Sequence, residues 1–352
     1  MKFGLSEEQA FLQTTVNKFL TDQAPLAAVR EIAAGEASDV EIWQGLAQLG
    51  VPGIMIPEAL GGVGLGSLDA AVIAECLGYH VTPGPFITSA AMAPVPLIAA
   101  GREDLLAAIA RGEHRVGMAF GEAIGARNDA SVSVEAGKMT GKSIFVLDGE
   151  ADSYLIATPA KAIYWVQAGD VERTALTTVD RTRSTCELVF NATAVELICD
   201  DQETYNRTVD MGRVMQAADT LGAAQSMLDQ SVAYAKERKQ FNRLIGSFQA
   251  VKHMCADMAA DLEPCRSMIW YAAHAMDEIP DEARLVACHA KAHLSEVGKA
   301  VAKTATEVHG GMGFTDLLGL HYWFKRIGAN RQLLGSPELL REEAARIQGL
   351  VA

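Results

Sequence analysis

The sequence predicts an α+β protein that is mainly helical, with a helical part, a β part and a second helical part in that order. Residues 1–114 repeat apolar side chains at helical spacing, residues 115–202 contain short β-branched segments separated by turns, and residues 203–352 return to long amphipathic runs. No helical segment interrupts the β part, so antiparallel pairing is expected rather than βαβ crossovers. We therefore predict an N-terminal helical domain, a middle antiparallel β domain and a C-terminal domain of the four-helix-bundle type.

The N-terminal part is predicted from capping and turn residues. Ser6 and Gln9 have the spacing of a capping box ahead of an apolar stripe. A second stripe ends at Gly50, which suits the position after a helix C-terminus. Residues 51–66 are too rich in glycine and proline for a helix, and Ser67 is expected to cap the next one.

The β part is predicted from segments rich in β-branched and aromatic residues, with turn residues between them. These segments are 116–120, 131–134, 143–147, 154–158, 163–166 and 188–190. Beyond residue 203 the helical runs are punctuated at Gly246, Pro280 and Gly310.

The charge balance bears on the class of partner. The chain has 352 residues, with 44 acidic and 30 basic side chains and a net charge of -14. Such a field repels nucleic acid and anionic membrane surfaces, so neither is expected as a partner. An anionic ligand would have to be held by a few local cations and backbone N–H groups.

The location and redox state are predicted from the apolar segments and the cysteines. No stretch of about 18 apolar residues lacks a charge or a breaker, and the first residues turn acidic at once, unlike a signal peptide. The six cysteines are scattered and include no C-x-x-C pair. We expect reduced thiols in a cytoplasmic protein, without a disulfide framework or a zinc site.

Two local patterns are interpreted as structural. The glycine run at 61–66 resembles a dinucleotide fingerprint, but that motif needs a preceding strand and a βαβ unit. His289 and His293 have the i, i+4 spacing of two metal ligands, yet no third ligand can be named. We expect a loop, a solvated helix face and no bound metal.

Two segments in the C-terminal part carry the most specific signal. One runs from Glu237 to Gln249 with the sequence ERKQFNRLIGSFQ, and the other, 307–315, has the sequence EVHGGMGFT. Together with 56–65, which has the sequence IPEALGGVGL, they make the chain resemble the acyl-CoA dehydrogenases along nearly its whole length. The predicted order of helical, β and helical parts is similar to the architecture of that family.

The resemblance implies FAD as cofactor, an acyl-CoA thioester as substrate and dehydrogenation across its α,β bond. It implies that an electron-transfer flavoprotein accepts the electrons and that the chain assembles as a tetramer. Arg238 matches the arginine that holds the FAD pyrophosphate, a role that suits a guanidinium fork. The other positions matching FAD contacts are Phe241, Gln249, Glu307, Val308, His309, Gly310 and Gly311, with Phe145 as the aromatic cover of the flavin.

Three matched positions depart from the family. Glu307 stands where the family usually has Gln, so an amide donor is lost. Gly121 and Leu147 replace residues whose hydroxyl groups donate to the flavin. Phe145 keeps an aromatic ring at the flavin face.

The largest departure concerns the catalytic base. Family members place a Glu at one of two positions, which correspond here to Leu334 and Gly212, and neither residue can accept a proton. The acids nearest to the matched motifs, Asp316 and Glu122, are weak candidates. Arg213 matches an arginine beside the acyl-CoA site, and the N–H of Leu334 can still bind the thioester oxygen.

Three interpretations remain open. The chain is a working dehydrogenase with an unrecognised base, one subunit of a heteromeric enzyme whose partner completes the active site, or a non-catalytic acyl-CoA- or FAD-binding paralogue. The assembly is accordingly a homo- or heterotetramer. The sequence does not identify the acyl group.

Overall fold

The computed structural model describes residues 4–351. The N-terminal part is helical, as predicted. Its elements are α1 (Glu7–Gln23), α2 (Leu26–Ala34), α3 (Val40–Gln48), α4 (Ser67–Tyr79), a π-helical turn (Phe86–Met92), α5 (Pro94–Ala99) and α6 (Glu103–Ala110). The loop between α3 and α4 contains only two short 3-10 turns, Val51–Gly53 and Glu58–Leu60.

The predicted capping box is confirmed at the start of α1. The Gln9 N–H donates to Ser6 Oγ at 3.1 Å, and the Ser6 N–H donates to Gln9 Oε1 at 3.0 Å. The expected cap at Ser67 is wrong, because Gly66 is the N-cap of α4. The Ser67 hydroxyl is used in a long-range bond instead, donating to Asp277 Oδ1 at 2.7 Å.

The middle part forms one eight-stranded sheet. Its strands are β1 (Val116–Ala119), β2 (Ser131–Glu135), β3 (Lys138–Leu147), β4 (Ser153–Ala157), β5 (Ile163–Gln167), β6 (Glu172–Ala175), β7 (Thr185–Ala194) and β8 (Glu196–Cys199). The strand order is β6-β7-β3-β1-β4-β5-β8, with β2 also paired to β3.

The sheet is mixed, which corrects the expectation of purely antiparallel pairing. β1 and β4 run parallel, with Val116 opposite Ser153 and Ala119 opposite Ile156, while the other pairs are antiparallel. The cause is the route of the chain. β3 returns antiparallel along one edge of β1, and the turn after it sends β4 back along the opposite edge.

The C-terminal part contains long helices that pack as a bundle. Its elements are α7 (Gln202–Glu237), the two-residue strands β9 (Lys239–Gln240) and β10 (Arg243–Leu244), α8 (Gln249–Glu278), α9 (Pro280–His309), α10 (His321–Gln332) and α11 (Pro337–Ile347). In the part of the chain that the structure describes, no helix has the length and apolar character that crossing a bilayer requires.

Close backbone contact fixes α7 against the N-terminal part. A Cβ added to Gly78 of α4 would lie 1.9 Å from the Asp219 carbonyl oxygen, and one added to Gly222 of α7 would lie 1.9 Å from that of Glu75. Only glycine permits this approach at either position. One buried apolar cluster then extends through both helical parts and includes Leu46, Met92, Phe120 and Met215 among others.

The three parts therefore share a core rather than forming separate globules. A second cluster, which includes Met139 and Phe190, lies within the β part. The structure changes from helix to strand between Ala110 and Val116, and back to helix between Cys199 and Gln202. The division into domains at 1–114, 115–202 and 203–352 stays a prediction.

Candidate active site

A cavity of about 360 Å³ lies where the three parts of the chain meet. The N-terminal part contributes the end of the loop before the π-helical turn and the turn itself, including Gly84 and Thr88. The β part contributes the end of β3, and the C-terminal part contributes α7 and the segment that follows α10. Most of the exposed wall is apolar. A volume of this size and character suits a small organic ligand.

The two positions expected to carry a catalytic Glu are brought together at this cavity. Leu334 is 5% exposed and lies in its wall. A Cβ added to Gly212 of α7 would lie 2.5 Å from Leu334 Cδ1 and 2.6 Å from Met92 Sδ. The Leu334 side chain thus fills the space beside Gly212. The two positions are therefore neighbours in the structure, and apolar side chains fill the space between them.

The backbone at Leu334 has an unusual conformation. Its φ is 57°, in the left-handed region, and Gly335 follows with φ of 111°. A left-handed φ costs energy for a branched side chain, so surrounding contacts must hold it.

Arg213 supplies one of these contacts. Its Nε donates to the Leu334 carbonyl oxygen at 3.1 Å, and its other nitrogens bond to Asp210 Oδ1 at 3.1 Å and Glu343 Oε2 at 2.8 Å. Arg284 pairs with the same two carboxylates. Arg213 is 1% exposed and lies behind Leu334 rather than in the cavity wall. Arg213, which was expected beside the acyl-CoA site, therefore contacts the back of Leu334.

The pKa values of this cluster agree with a paired network. Burial tends to lower the pKa of Arg213, but Asp210, Cys288 and Glu343 outweigh it and raise that pKa. Burial raises the pKa of Asp210 to about 6, with Arg213 and Arg284 acting against the shift. Burial also tends to raise the pKa of Glu343, but its bond to Arg213 prevails and the pKa is lowered. Arg213 therefore stays charged and holds its partners.

The structure places neither weak base candidate in the cavity wall. Asp316 has an exposed side chain, 3.4 Å from His321 Nε2. Glu122 accepts hydrogen bonds at both oxygens, from the Ser143 hydroxyl at 2.6 Å and from the Ile144 N–H at 2.8 Å. An oxygen that is already bonded in this way is poorly placed to take a substrate proton.

The predicted flavin face lies on the β side of the cavity. Phe145 lines it with 45% of the residue exposed, and its φ of 57° turns the ring out of the regular strand pattern. The Arg127 guanidinium lies 4.8 Å from the ring centroid of Phe145. Gly121 and Leu147 also line the cavity. An aromatic wall with an adjacent cation suits a planar conjugated ligand.

The remaining cofactor positions lie away from the cavity, at one end of the helical bundle. Arg238 is the C-cap of α7, Gln249 begins α8, and both are exposed. His309 at the end of α9 stacks on Tyr234 of α7, with ring centroids 4.6 Å apart. This contact brings the two sequence motifs to the same end of the bundle.

The side chains at that end differ in exposure. Phe241 is 87% exposed and Glu307 is exposed, whereas Val308 and His309 are buried. His309 Nδ1 lies 2.7 Å from the Ala305 carbonyl oxygen, and burial lowers the pKa of the ring. The side chains of Val308 and His309 are therefore packed inside the chain, and a contact of these residues with FAD stays a prediction.

Sequence reasoning missed most of the polar cavity residues, and two of these, Asp148 and Gln216, have a buried oxygen with neither a hydrogen bond nor an ion pair among the described residues. Asp148 follows β3, and burial raises the pKa of its carboxyl group to about 7. Its Oδ1 accepts from the Ser184 hydroxyl at 3.2 Å, and its buried Oδ2 has no partner among the described residues. Gln216 lies four residues after Gly212 on α7, and its Oε1 is likewise unpaired. That helical spacing is the signal that could have identified Gln216.

Two domain models of one protein family match the chain. Residues 203–348 match the acyl-CoA dehydrogenase C-terminal domain, and residues 6–113 match the acyl-CoA dehydrogenase N-terminal domain. Acyl-CoA dehydrogenase IpdE2 of Mycolicibacterium smegmatis is 30% identical over 99% of this chain and 100% of its own length. Acyl-CoA dehydrogenase IpdE2 of Mycobacterium tuberculosis is 32% identical over 95% and 96%.

A solved structure shows the same fold over the whole chain. A chain of the ChsE4-ChsE5 complex from Mycobacterium tuberculosis superposes with a TM-score of 0.89 and 25% identity, covering 100% of both chains. The fold, the two domain matches and the full-length relatives agree. The chain belongs to the acyl-CoA dehydrogenase family.

Proposed function

We propose that the chain is a subunit of an FAD-dependent acyl-CoA dehydrogenase that removes hydrogen across the α,β bond of an acyl-CoA thioester. The family assignment confirms FAD as the expected cofactor and an oxidoreductase as the class of protein. The observation that carries the proposal is that Leu334 and Phe145 line one cavity, with Gly212 in contact with Leu334. The shared cavity supports a site in which the matched catalytic positions and the matched flavin face act on one ligand.

The residues present fit FAD. Phe145 and Leu147 offer an apolar wall for the ring system. Arg238 is exposed and forms no ion pair among the described residues, so its guanidinium is available to a pyrophosphate. No heavy atom lies within 4 Å of a Cβ added to Gly310 or Gly311, which leaves room for a flat group. FAD, when bound, accepts the hydride.

The residues of this chain would bind and orient the thioester. The N–H of Leu334 is the expected donor to the thioester oxygen, and the left-handed backbone directs it. Arg213 holds the Leu334 carbonyl and thereby that backbone. The cavity would exclude water from the reacting carbons. Removing the α proton needs a carboxylate that neither Leu334 nor Gly212 supplies.

We propose that a second subunit completes the enzyme. Arg238, Gln249 and Glu307 lie outside the cavity of their own chain, as expected if they serve an FAD shared with a neighbour. A similar fold occurs in the ChsE4-ChsE5 complex. We expect a homo- or heterotetramer with an electron-transfer flavoprotein as electron acceptor, as the resemblance to the family implies. The alternative is a non-catalytic acyl-CoA- or FAD-binding paralogue, which the missing carboxylate favours.

The test is anaerobic bleaching of the bound flavin by an acyl-CoA. We expect yellow protein that is bleached when a partner subunit with Glu at the position of Leu334 is co-purified. Bleaching by this chain alone would contradict the need for a partner. Protein that binds no FAD in either preparation would refute the enzymatic proposal, and flavin that no thioester bleaches would favour the paralogue.

A substitution pair tests whether this cavity is built for the reaction. Leu334→Glu adds a carboxylate, and Leu334→Gln is the matched uncharged control. We expect the Glu variant to bleach about 10²–10⁴-fold faster than the Gln variant, the range that a positioned proton acceptor contributes. Equal rates in the two variants would show that position 334 does not face the α carbon.

A further inference from the structure

In the described part of the chain, the cavity wall contains two cations, and both are already paired. Arg127 donates to both oxygens of Asp129, at 2.7 and 2.6 Å. Arg183 donates to Asp219 Oδ2 at 2.6 Å and to Asn330 Oδ1 at 2.7 Å. Each guanidinium thus has a carboxylate partner, and the described wall offers no free cation to a ligand.

The same wall contains three carboxylates, of which two are matched by cations. Asp39 lies 2.8 Å from Arg115, and Asp180 lies 3.3 Å from Arg326. Asp148 has no ion pair among the described residues, and Arg115, which attracts it, is already paired with Asp39. With the partners included, four guanidinium groups stand against five carboxylates. Asp148 is therefore the unmatched negative charge of the cavity.

The hydroxyl groups of the wall are used within the chain. Thr88 and Thr178 each donate to a backbone carbonyl oxygen at 2.9 Å, and Thr185 does so at 3.4 Å. Ser184 donates to Asp148 at 3.2 Å. Most of the exposed wall is apolar. A carboxylate buried in this cavity would lose its hydration without gaining a cation, which costs free energy.

We propose that the cavity accepts acyl groups without a charge and rejects acyl groups that carry a carboxylate, and that Asp148 determines this specificity. The inference rests on the proposed function, since it takes the cavity as an acyl-CoA site. A carboxylate on the acyl group would meet no free cation and would be repelled by Asp148. The repulsion acts through space, so it needs no contact between the two groups. An uncharged acyl group meets neither cost.

The test compares pentanoyl-CoA, glutaryl-CoA and the terminal amide of glutaryl-CoA on the FAD-loaded assembly. The amide matches glutaryl-CoA in size but carries no charge on its acyl group. Dissociation constants are measured anaerobically by calorimetry at about pH 8, where Asp148 is charged because burial raises its pKa to about 7. Bleaching is followed separately. We expect glutaryl-CoA to bind at least about 100-fold more weakly than its amide, the effect of a buried charge without a partner.

Two variants assign the rejection to Asp148. Asp148→Asn keeps the shape of the side chain but removes its charge. We expect the difference between glutaryl-CoA and its amide to shrink about 15-fold, the repulsion of two unit charges roughly 10 Å apart at an effective dielectric constant of about 20. Glu150→Gln removes a charge from the same turn but outside the cavity wall, and should leave the difference unchanged.

The outcomes separate this inference from the proposed function. Glutaryl-CoA that binds as tightly as its amide would overturn the inference, while bleaching by pentanoyl-CoA in the same preparation would leave the proposed function intact. An unchanged difference in Asp148→Asn would also overturn it, as would loss of amide binding in that variant, which would show that Asp148 supports binding. The expected differences without bleaching would support the inference and refute the proposed dehydrogenation. Protein that binds none of these thioesters would refute both.

Discussion

Replacing Gly212 by alanine tests the contact between the two matched base positions. The added Cβ would lie 2.5 Å from Leu334 Cδ1 and 2.6 Å from Met92 Sδ, well inside van der Waals contact. Overpacking a core in this way costs about 1–3 kcal/mol. Alanine in a helix gains about 1 kcal/mol over glycine, which offsets part of that cost. The difference predicts that Gly212→Ala lowers the free energy of unfolding by up to about 2 kcal/mol.

A matched glycine separates the steric effect from helix propensity. Gly328 lies in α10, and no heavy atom stands within 4 Å of a Cβ added there. Gly328→Ala should therefore stabilise the protein by about 0.5–1 kcal/mol. The two substitutions are chemically identical, so their opposite signs would isolate the contact with Leu334.

The assay is urea unfolding followed by circular dichroism at one protein concentration, extended to a double-mutant cycle. Leu334→Ala removes one of the two groups that the new Cβ meets, the other being Met92, so Gly212→Ala should cost less in that background. We expect a coupling free energy of about 1–3 kcal/mol in the direction of rescue. Additive effects, or a Gly212→Ala variant as stable as Gly328→Ala, would refute the packing of Leu334 against Gly212.

Three further substitutions test the buried ionisable groups. Glu343→Gln leaves Arg213 with one carboxylate partner fewer. Since Glu343 is partly exposed, we expect the free energy of unfolding, measured in urea, to fall by about 1–3 kcal/mol. An unchanged urea midpoint would show that the ion pair with Arg213 does not stabilise the fold. Burial lowers the pKa of Lys291 to about 7, so between about pH 7 and 10.5 the unfolded chain binds more protons than the folded chain. The contribution of Lys291 to the free energy of unfolding therefore rises with pH over this range. Lys291→Met should remove that slope and raise Tm at pH 7, whereas a lower Tm would show that its bond to the Asn330 carbonyl dominates. Burial raises the pKa of Asp148 to about 7, so the folded chain binds more protons than the unfolded chain between about pH 4 and 7, and stability falls as pH rises through this range. Asp148→Asn should flatten this part of the profile of Tm against pH. A profile parallel to that of the unaltered protein would contradict the raised pKa.

The order of helical, β and helical parts could be predicted because each part shows its own spacing of apolar residues over many consecutive positions. The capping box at Ser6 and the stop at Gly50 needed only neighbouring residues, and both occur. Two strands of the eight-stranded sheet were missed, Glu172–Ala175 and Glu196–Cys199. Both are short and lie at the edges of the sheet, and the first is exposed throughout, so neither shows the alternation of a half-buried strand.

Residues of the candidate site could be predicted only where a sequence motif shared with the family identifies the position. Leu334 and Gly212 were found by counting from the motifs shared with the family, but their contact depends on α7 and the segment after α10 meeting in space. The unpaired oxygens of Asp148 and Gln216 could not be predicted, because they depend on which donors lie nearby in the fold. Arg213 was placed near the acyl site, yet its bonds to Asp210 and Glu343 became visible only with the packing of the helices.

The absence of a Glu at both matched positions narrows where a base could come from. Three acids line the cavity. Asp39 pairs with Arg115 at 2.8 Å, and Asp180 lies 3.3 Å from Arg326 Nε, so both are held as partners of cations. Asp148 alone among these three has a buried oxygen without a hydrogen bond or an ion pair, and its raised pKa lets it exchange a proton near neutral pH. Among these three acids, Asp148 is therefore the one least committed to a partner within the chain. Turnover by the isolated chain would require a proton acceptor of its own, whereas turnover only with a partner would indicate that the partner supplies the carboxylate.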